Sequence, residues 1–398
     1  MTIRTRFGAL ILAFCLALSL VACSSNKDSN ELPSESETPE PSPSTSSEAV
    51  ENSTLPEDFV VDTSAEDICL ATTGVPGKSV LFTVNGEPVT GHMYLHWLTT
   101  SISYVESAMV SMYGFVMDWT ADANFVAALK EDAMNSAARN SLLASKAKEL
   151  GCDMTDEQRA EFEANLALAV TYMGGEDVLQ EELRQAGIDY DTFYAANVSS
   201  YYYAQLQDKL FPNPPTDSEM DTYIEENDLL RAKHILLMTV DSVTRQPLDD
   251  ATIAQKKATA EDILSQLQAS NDLLTDFDAL MHEYSEDTGL ISNPDGYVFT
   301  ANEMVPEFES GTRALEFNQI SGLVESSYGY HIILRLDPDT EDARADYASS
   351  KMSSQLSAWV EEAEIACTSE YEALDVALFY EKFIAYQSAF SLNEESES

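Results

Sequence analysis

Two short runs decide the fold: Arg231-Ala232-Lys233-His234-Ile235-Leu236-Leu237 and Tyr328-Gly329-Tyr330-His331-Ile332-Ile333-Leu334-Arg335-Leu336. Each sets one histidine among branched aliphatic residues. Runs of this length and composition form buried β-strands. Paired in one sheet, the two strands would bring both histidines to one place.

The segment between them alternates in type. An acidic loop over 241–250 precedes a helix expected over 251–268 and a second over 276–284. Tyr284-Ser285-Glu286-Asp287 follows, then Asn293-Pro294-Asp295-Gly296-Tyr297-Val298-Phe299, a turn feeding a short strand. Met304-Val305-Pro306-Glu307-Phe308 leads another helix, and Ser321-Gly322-Leu323-Val324-Glu325-Ser326 returns a strand into the second histidine run.

On the N-terminal side, Ser79-Val80-Leu81-Phe82-Thr83-Val84-Asn85-Gly86-Glu87 has the form of a strand and turn. Helical patterns follow. Tyr94, Trp97, Leu98, Ile102, Val105, Met109 and Met112 fall at three- and four-residue spacings, as do Leu129, Ala133, Ala137, Leu142 and Leu143. Further helices are expected over 156–173, 175–186 and 189–210, ended by Phe211-Pro212-Asn213-Pro214-Pro215. Thr216 caps a short helix reaching Asn227. On the C-terminal side, 341–361 carries the stripe Ala345, Ala348, Met352, Leu356, Trp359 and Val360, and 376–389 carries Leu378, Phe379, Phe383, Ile384 and Tyr386. Such stripes need a partner surface. The helical block before 227 supplies one, so 231–337 is expected as an insertion in a helical lobe built from both flanks.

The chain has 398 residues and a formal charge of -48, from 69 acidic and 21 basic side chains. That field repels nucleic acid and bare anionic membrane. Arg4 and Arg6 precede an apolar stretch over 7–20 that is short for a membrane span and ends in Leu20-Val21-Ala22-Cys23. This ending resembles the bacterial lipobox, which implies cleavage before Cys23 and lipid on its thiol, an anchor rather than a spanning helix. The segment after it is rich in Ser, Glu, Thr and Pro and buries little, so it is expected as a disordered tether. About 40 flexible residues reach roughly 35 Å. Cys69, Cys152 and Cys367 form no CxxC pair, and their pairing stays open.

AKHILL, YSED, MVPEFE and ISGLVESSYGYHIILRL, in this order, resemble the parvulin (rotamase) family of peptidyl-prolyl isomerases, across essentially all of 231–337. With the leader and the flanking helices, the whole is similar to extracytoplasmic foldases of the PrsA/SurA type. The fold class implied is α+β: a parvulin-like domain, with a small antiparallel sheet and surrounding helices, inserted in an all-α chaperone-like lobe. The expected division is 1–22 signal peptide, 23–66 tether, 67–228 N-terminal helical lobe, 229–338 parvulin domain, 339–392 helices completing the lobe, and 393–398 disordered tail. The resemblance implies catalytic roles for His234, Asp287 and His331. It implies an apolar wall from Met304 and Phe308, and Tyr328 beside the bound peptide. Where the family's glycine-rich run contains leucine-glycine, this chain has Asp295-Gly296-Tyr297-Val298, and Tyr297 rather than leucine is expected at the pocket rim. No cofactor or metal is implied. The implied partners are unfolded or partly folded exported proteins with X–Pro bonds, met at the outer face of a membrane to which Cys23 is anchored.

The chemistry suits these residue types. Rotation about an X–Pro amide meets a barrier of about 18–20 kcal/mol, and no bond to the peptide has to break. A dry pocket that grips the ring and polar groups that favour the twisted amide suffice. Either histidine alone is more often a core residue. The pair in matched strands with an aspartate between them points to a site, with the histidines hydrogen-bonded to each other and Asp287 setting a tautomer. His92 and His96 lie four apart on a helix but lack the glutamate of HExxH, so packing is expected of them. Met109, Met112, Met117 and Tyr201 to Tyr203 suit an adaptable cradle for unfolded chains. The alternative function is a non-catalytic holdase that uses the parvulin domain as a peptide scaffold. The loop over 239–250 holds one basic residue, Arg245, too few for a phosphate-reading site.

Overall fold

A computed structural model describes residues 55–56 and 58–397, with backbone alone for 393–397. The leader over 1–22, Cys23 and most of the expected tether lie outside the described residues. The chain forms two compact units: one ends at Pro212 and resumes at Met352, and the other is Asn213–Lys351.

The first unit holds helices α1 (Ile68–Thr73), α2 (Gly91–Tyr113), α3 (Ala123–Glu149), α4 (Asp156–Met173), α5 (Glu176–Ala186) and α6 (Tyr190–Leu210). Side-chain oxygens of Thr90, Asp122, Thr155 and Asp189 cap four of these N-termini, each cap contributing about 1 kcal/mol. The lobe is helical with one addition. Strand β1 (Val80–Val84) and its turn lie where expected, β2 (Glu87–Thr90) extends them to a hairpin, and β7 (Ile365–Cys367), from the C-terminal flank, joins β1 as a third antiparallel strand. Three residues are too few to show alternation in sequence. Phe82, Tyr94 and Tyr371 meet edge to face at 5.4–6.2 Å and seal the sheet onto α2. The C-terminal flank ends in the short α12 (Ser369–Glu372) and in α13 (Val376–Glu397).

Both ends of this unit correct the expectation. Phe59, Val61 and Ala65 pack with Tyr386 and Phe390, so order begins before residue 66. These apolar residues find an apolar face on α13 although their neighbours are acidic. The tail expected over 393–398 continues α13 to Glu397. No glycine or proline follows Leu392 to stop the helix. Cys69, Cys152 and Cys367 are free thiols.

The second unit holds α7 (Asp217–Glu226), β3 (Leu230–Met238), α8 (Asp250–Gln268), α9 (Leu273–Tyr284), a 3-10 turn (Thr288–Ile291), β4 (Tyr297–Phe299), α10 (Pro306–Arg313), β5 (Val324–Glu325), β6 (Gly329–Leu336) and the first part of α11 (Glu341–Glu362). This compact unit extends beyond the expected parvulin domain, 229–338, at both ends. Arg344 on α11 bonds Asp217, Asp339 and the carbonyl of Pro215, and Tyr223 meets Tyr347 at 5.3 Å. These contacts bring α7 and the start of α11 into the unit.

Its sheet has the order β4-β3-β6-β5, all antiparallel. The register pairs His234 with Ile333 and Leu236 with His331. Side chains alternate across a sheet, so Ile235, Leu237, Tyr330, Ile332 and Leu334 share one face. Ala260, Ile263 and Leu267 of α8 and Phe277 and Met281 of α9 cover it. Leu230, Ala232, His234, His331 and Ile333 share the other.

Candidate active site

The second face starts as core and ends as a polar site. Leu230, Ala232 and Ile333 pack with Phe299, Phe308 and Leu315. Further along, the two histidines lie diagonally across the β3–β6 pair. Their rings stack at 5.2 Å, with Nδ1 to Nδ1 at 3.1 Å.

The backbone aims Asp287 at them. β4 pairs with β3 only as far as Ala232, and the Ser285-Glu286 segment takes up the edge beyond. Leu236 N–H donates to Ser285 Oγ at 3.2 Å, Glu286 N–H to the Leu236 carbonyl at 2.8 Å, and Met238 N–H to Glu286 Oε2 at 2.7 Å. The next residue, Asp287, therefore arrives beside His234 and caps the 3-10 turn through Gly289 N–H at 2.9 Å. Its Oδ2 lies 2.7 Å from His234 Nε2 and accepts from the Tyr297 hydroxyl at 2.6 Å. Gly289 is required here, because a Cβ at that position would sit 2.1 Å from the Tyr297 oxygen.

His331 Nε2 meets Ser326 Oγ at 2.7 Å, and that hydroxyl accepts the Tyr328 N–H at 3.1 Å. With both imidazoles neutral, the network allows one assignment of protons. Asp287 can only accept, so His234 donates from Nε2. His331 then donates from Nδ1 to His234 Nδ1, and Ser326 donates to His331 Nε2. All these bonds point toward Asp287. Such a chain polarises each member in the same sense.

Burial works against the charge on Asp287. The bonds from His234, Tyr297 and the Gly289 amide outweigh it and hold the carboxyl well below the usual carboxylate range. Burial, and then the Asp287 charge, push the Tyr297 phenol up. Burial, reinforced by His234, lowers His331 to about 3. The site thus centres on one anion, Asp287, held by the donors His234, Tyr297 and the Gly289 amide.

Phe308 closes the apolar side, its ring 5.0 Å from His234 and 5.7 Å from His331. Met304 packs in the same cluster. Hence His234, Asp287, His331, Tyr297 and Phe308 converge, with Met304 beside them. Tyr297 does more than line a rim, since its hydroxyl ends the chain at Asp287. Tyr328 is exposed, tied to the network through its backbone, with Arg245 5.0 Å above its ring. Ser326 was not foreseen. Ser326-Ser327 offers two hydroxyls in sequence, and only the strand register shows which one faces His331. In the first unit His92 Nδ1 lies 2.9 Å from Asp189 Oδ2, and burial lowers His96 to about 4. Among the described residues no group of three or more His, Cys, Asp or Glu side chains is placed to hold a metal ion.

Residues 234–337 match the rotamase family, described as the PPIC-type PPIASE domain. Fold and site thus define a parvulin-type peptidyl-prolyl isomerase. Foldase protein PrsA of Caldanaerobacter subterraneus subsp. tengcongensis is 30% identical over 268 residues, covering 64% of this chain and 72% of that one. Foldase protein PrsA of Halalkalibacterium halodurans is 37% identical over 127 residues, 31% of this chain and 32% of that one. The crystal structure of PrsA from Bacillus subtilis aligns at 20% identity over 72% of this chain and 90% of that one, with a TM-score of 0.24, too loose a superposition to carry an inference. The chain belongs to the PrsA foldase family, and it is a peptidyl-prolyl isomerase that assists protein folding.

Proposed function

We propose that the chain isomerises X–Pro bonds of exported proteins at the outer face of a membrane to which lipid on Cys23 tethers it. The observation that carries the isomerase site is the chain Tyr297–Asp287–His234–His331–Ser326 lying beside Phe308. Phe308 and Met304 grip the proline ring and exclude water. The histidine pair, fixed by Asp287, presents an oriented polar edge to an amide whose charge distribution changes as it twists. That edge costs no reorganisation at the moment of reaction. The histidines orient and stabilise, and no proton needs to leave the peptide. The tether rests on the leader and on Leu20-Val21-Ala22-Cys23. Among the described residues no helix is long and apolar enough to cross a membrane.

One experiment tests both parts. Membranes from cells making the wild-type chain should speed cis-to-trans conversion of a proline tetrapeptide. The same membranes with His234→Ala should lose about a hundredfold of that acceleration, and Cys23→Ala should move the activity to the soluble fraction. A His234→Ala rate equal to wild type removes the assigned site. Activity that stays on the membrane with Cys23→Ala removes the anchor.

A second reading, holding of unfolded chains by the helical lobe, is favoured by an apolar tip. Met112, Tyr113, Phe115 and Met117 are all exposed at the α2 end and the loop beyond it. Of the methionines expected in a cradle, Met109 is instead buried.

A further inference from the structure

β4 pairs with β3 only as far as Ala232, and beyond it Ser285 and Glu286 supply the bonds to the β3 edge. The last of these comes from a side chain: Met238 N–H donates to Glu286 Oε2 at 2.7 Å. A glutamate has several side-chain torsions, so its carboxylate fixes an amide only when something fixes the carboxylate. Lys256, on α8, does so. Its ammonium donates to the other oxygen, Glu286 Oε1. Both bonds have an ionised partner, which makes them the stronger kind.

The same end of β3 also holds the far end of the polar chain. Successive N–H groups of a strand point to opposite edges. Met238 N–H points to Glu286, whose neighbour Asp287 anchors His234. Thr239 N–H points the other way and donates to the Tyr328 carbonyl at 3.0 Å. The Tyr328 amide in turn donates to Ser326 Oγ, which meets His331 Nε2. The fit on that side is close, since a Cβ on Gly329 would sit 2.2 Å from the Leu237 carbonyl oxygen. Two consecutive residues, Met238 and Thr239, therefore set both ends of the chain Asp287–His234–His331–Ser326, and Lys256 ties them to α8.

We infer that Lys256 is a positioning residue for isomerisation: through Glu286 it fixes the end of β3, and with it the spacing of the two histidines and the carboxylate. It acts from outside the chain of hydrogen bonds that it orients. Catalysis of rotation depends on polar groups already aimed at the twisted amide. A shift at the end of β3 therefore costs rate, while the grip of Phe308 and Met304 on the proline ring stays as it was. Loss of Lys256 lowers kcat and spares KM. The ion pair is partly exposed, so its effect is small beside that of His234. A second ion pair supplies the contrast. Lys233 Nζ lies 2.8 Å from Asp278 Oδ1 and ties β3 to α9, but it reaches neither end of the polar chain. The inference rests on the isomerase reading and adds to it a residue from a covering helix.

The test uses the full mature chain, a proline tetrapeptide for kcat and KM, and nitrogen-15-labelled histidine for the imidazole signals. Lys256→Met should lower kcat about three- to fivefold with KM unchanged, and Lys256→Arg should restore it. Glu286→Leu, which also strips the Met238 amide of its acceptor, should lower kcat about tenfold or more. Asp278→Asn should keep the wild-type kcat. In wild type the imidazoles should carry one proton each, on Nε2 of His234 and on Nδ1 of His331. In Lys256→Met those signals should move toward the average of the two tautomers. If Lys256→Met fails to fold, Glu286→Gln, which keeps the acceptor and drops the charge, decides in its place with the same expected loss. A wild-type kcat in the deciding variant, a loss carried by KM, imidazole signals that stay put, or a Lys256→Arg rate as low as that of Lys256→Met overturns the inference. An equal loss in Asp278→Asn also overturns it, because any ion pair holding β3 would then serve. The two readings fail separately. A wild-type chain without turnover sinks the isomerase site, and the imidazole signals still decide the role of Lys256.

Discussion

The two faces of the β3–β6 ribbon differ by one residue of register and by everything else. Ile235 and Ile332 are fully buried in an apolar cluster with α8 and α9, and Lys233 on the same face pairs with Asp278 of α9. One residue away, His234 and His331 join a half-buried chain of hydrogen bonds ending on a carboxylate. The first face gains by removing apolar area from water, roughly 25 cal/mol per Å². The second does so only in its first part, where Leu230, Ala232 and Ile333 pack with Phe299, Phe308 and Leu315. Burying polar groups there is tolerable only because each has a partner. The contrast assigns tasks: the helix-backed face supplies stability, and the other spends some of it on orientation.

The largest effect should come from breaking the first face. Ile332→Ala should cost about 2–5 kcal/mol, seen as a lower denaturant midpoint for the unit, while tetrapeptide turnover per folded molecule is kept. A rate loss as large as the stability loss would mean that the two faces do not act separately. A smaller effect sharpens the second face. The folded unit holds His331 near 3, below its usual 6.5. Between these values the unfolded chain binds the extra proton, so stability is full above about pH 6.5 and falls as the pH drops toward 3. By pH 5 the loss from this group is on the order of 2 kcal/mol. His331→Phe should flatten that part of the stability–pH curve. An unchanged slope would show that His331 is not held neutral.

Much of this arrangement was legible in advance, and the reasons are local. The aliphatic runs around the two histidines, and glycine and proline between the helices, are signals carried by neighbouring residues. So is the Ser285-Glu286-Asp287 triplet, whose first two members stitch the third to β3. The parts that were not legible depend on distances between remote segments. The Tyr297 hydroxyl reaches Asp287 only because Gly296, at φ 95°, turns the chain against β3 and Gly289 leaves room for the oxygen. Ser326 and Ser327 are indistinguishable until the strand register is known. Arg344 ties the end of the unit to its start, and two of its partners, Pro215 and Asp217, lie over a hundred residues upstream.

The subtlest prediction concerns that tyrosine. Tyr297→Phe keeps the ring, which lies 5.8 Å from His234 and packs with Phe299 and Phe308, and deletes only the donor. Asp287 then retains His234 and the Gly289 amide, while its burial still opposes the charge. Its carboxyl should therefore titrate at a higher pH than in wild type, closer to the ordinary aspartate. A depressed carboxyl contributes stability above its unfolded pKa of about 4 and loses it as the pH falls through the folded value. In the variant that loss should begin at higher pH. The histidine pair, less firmly anchored, should turn over the tetrapeptide about three- to tenfold more slowly at neutral pH. A carbon-13 titration of the Asp287 carboxyl read beside the rate separates the possibilities. If both move, the hydroxyl belongs to the polar chain. If the rate falls while the titration stays put, Tyr297 acts as a wall of the pocket, and the chain ends at the carboxylate.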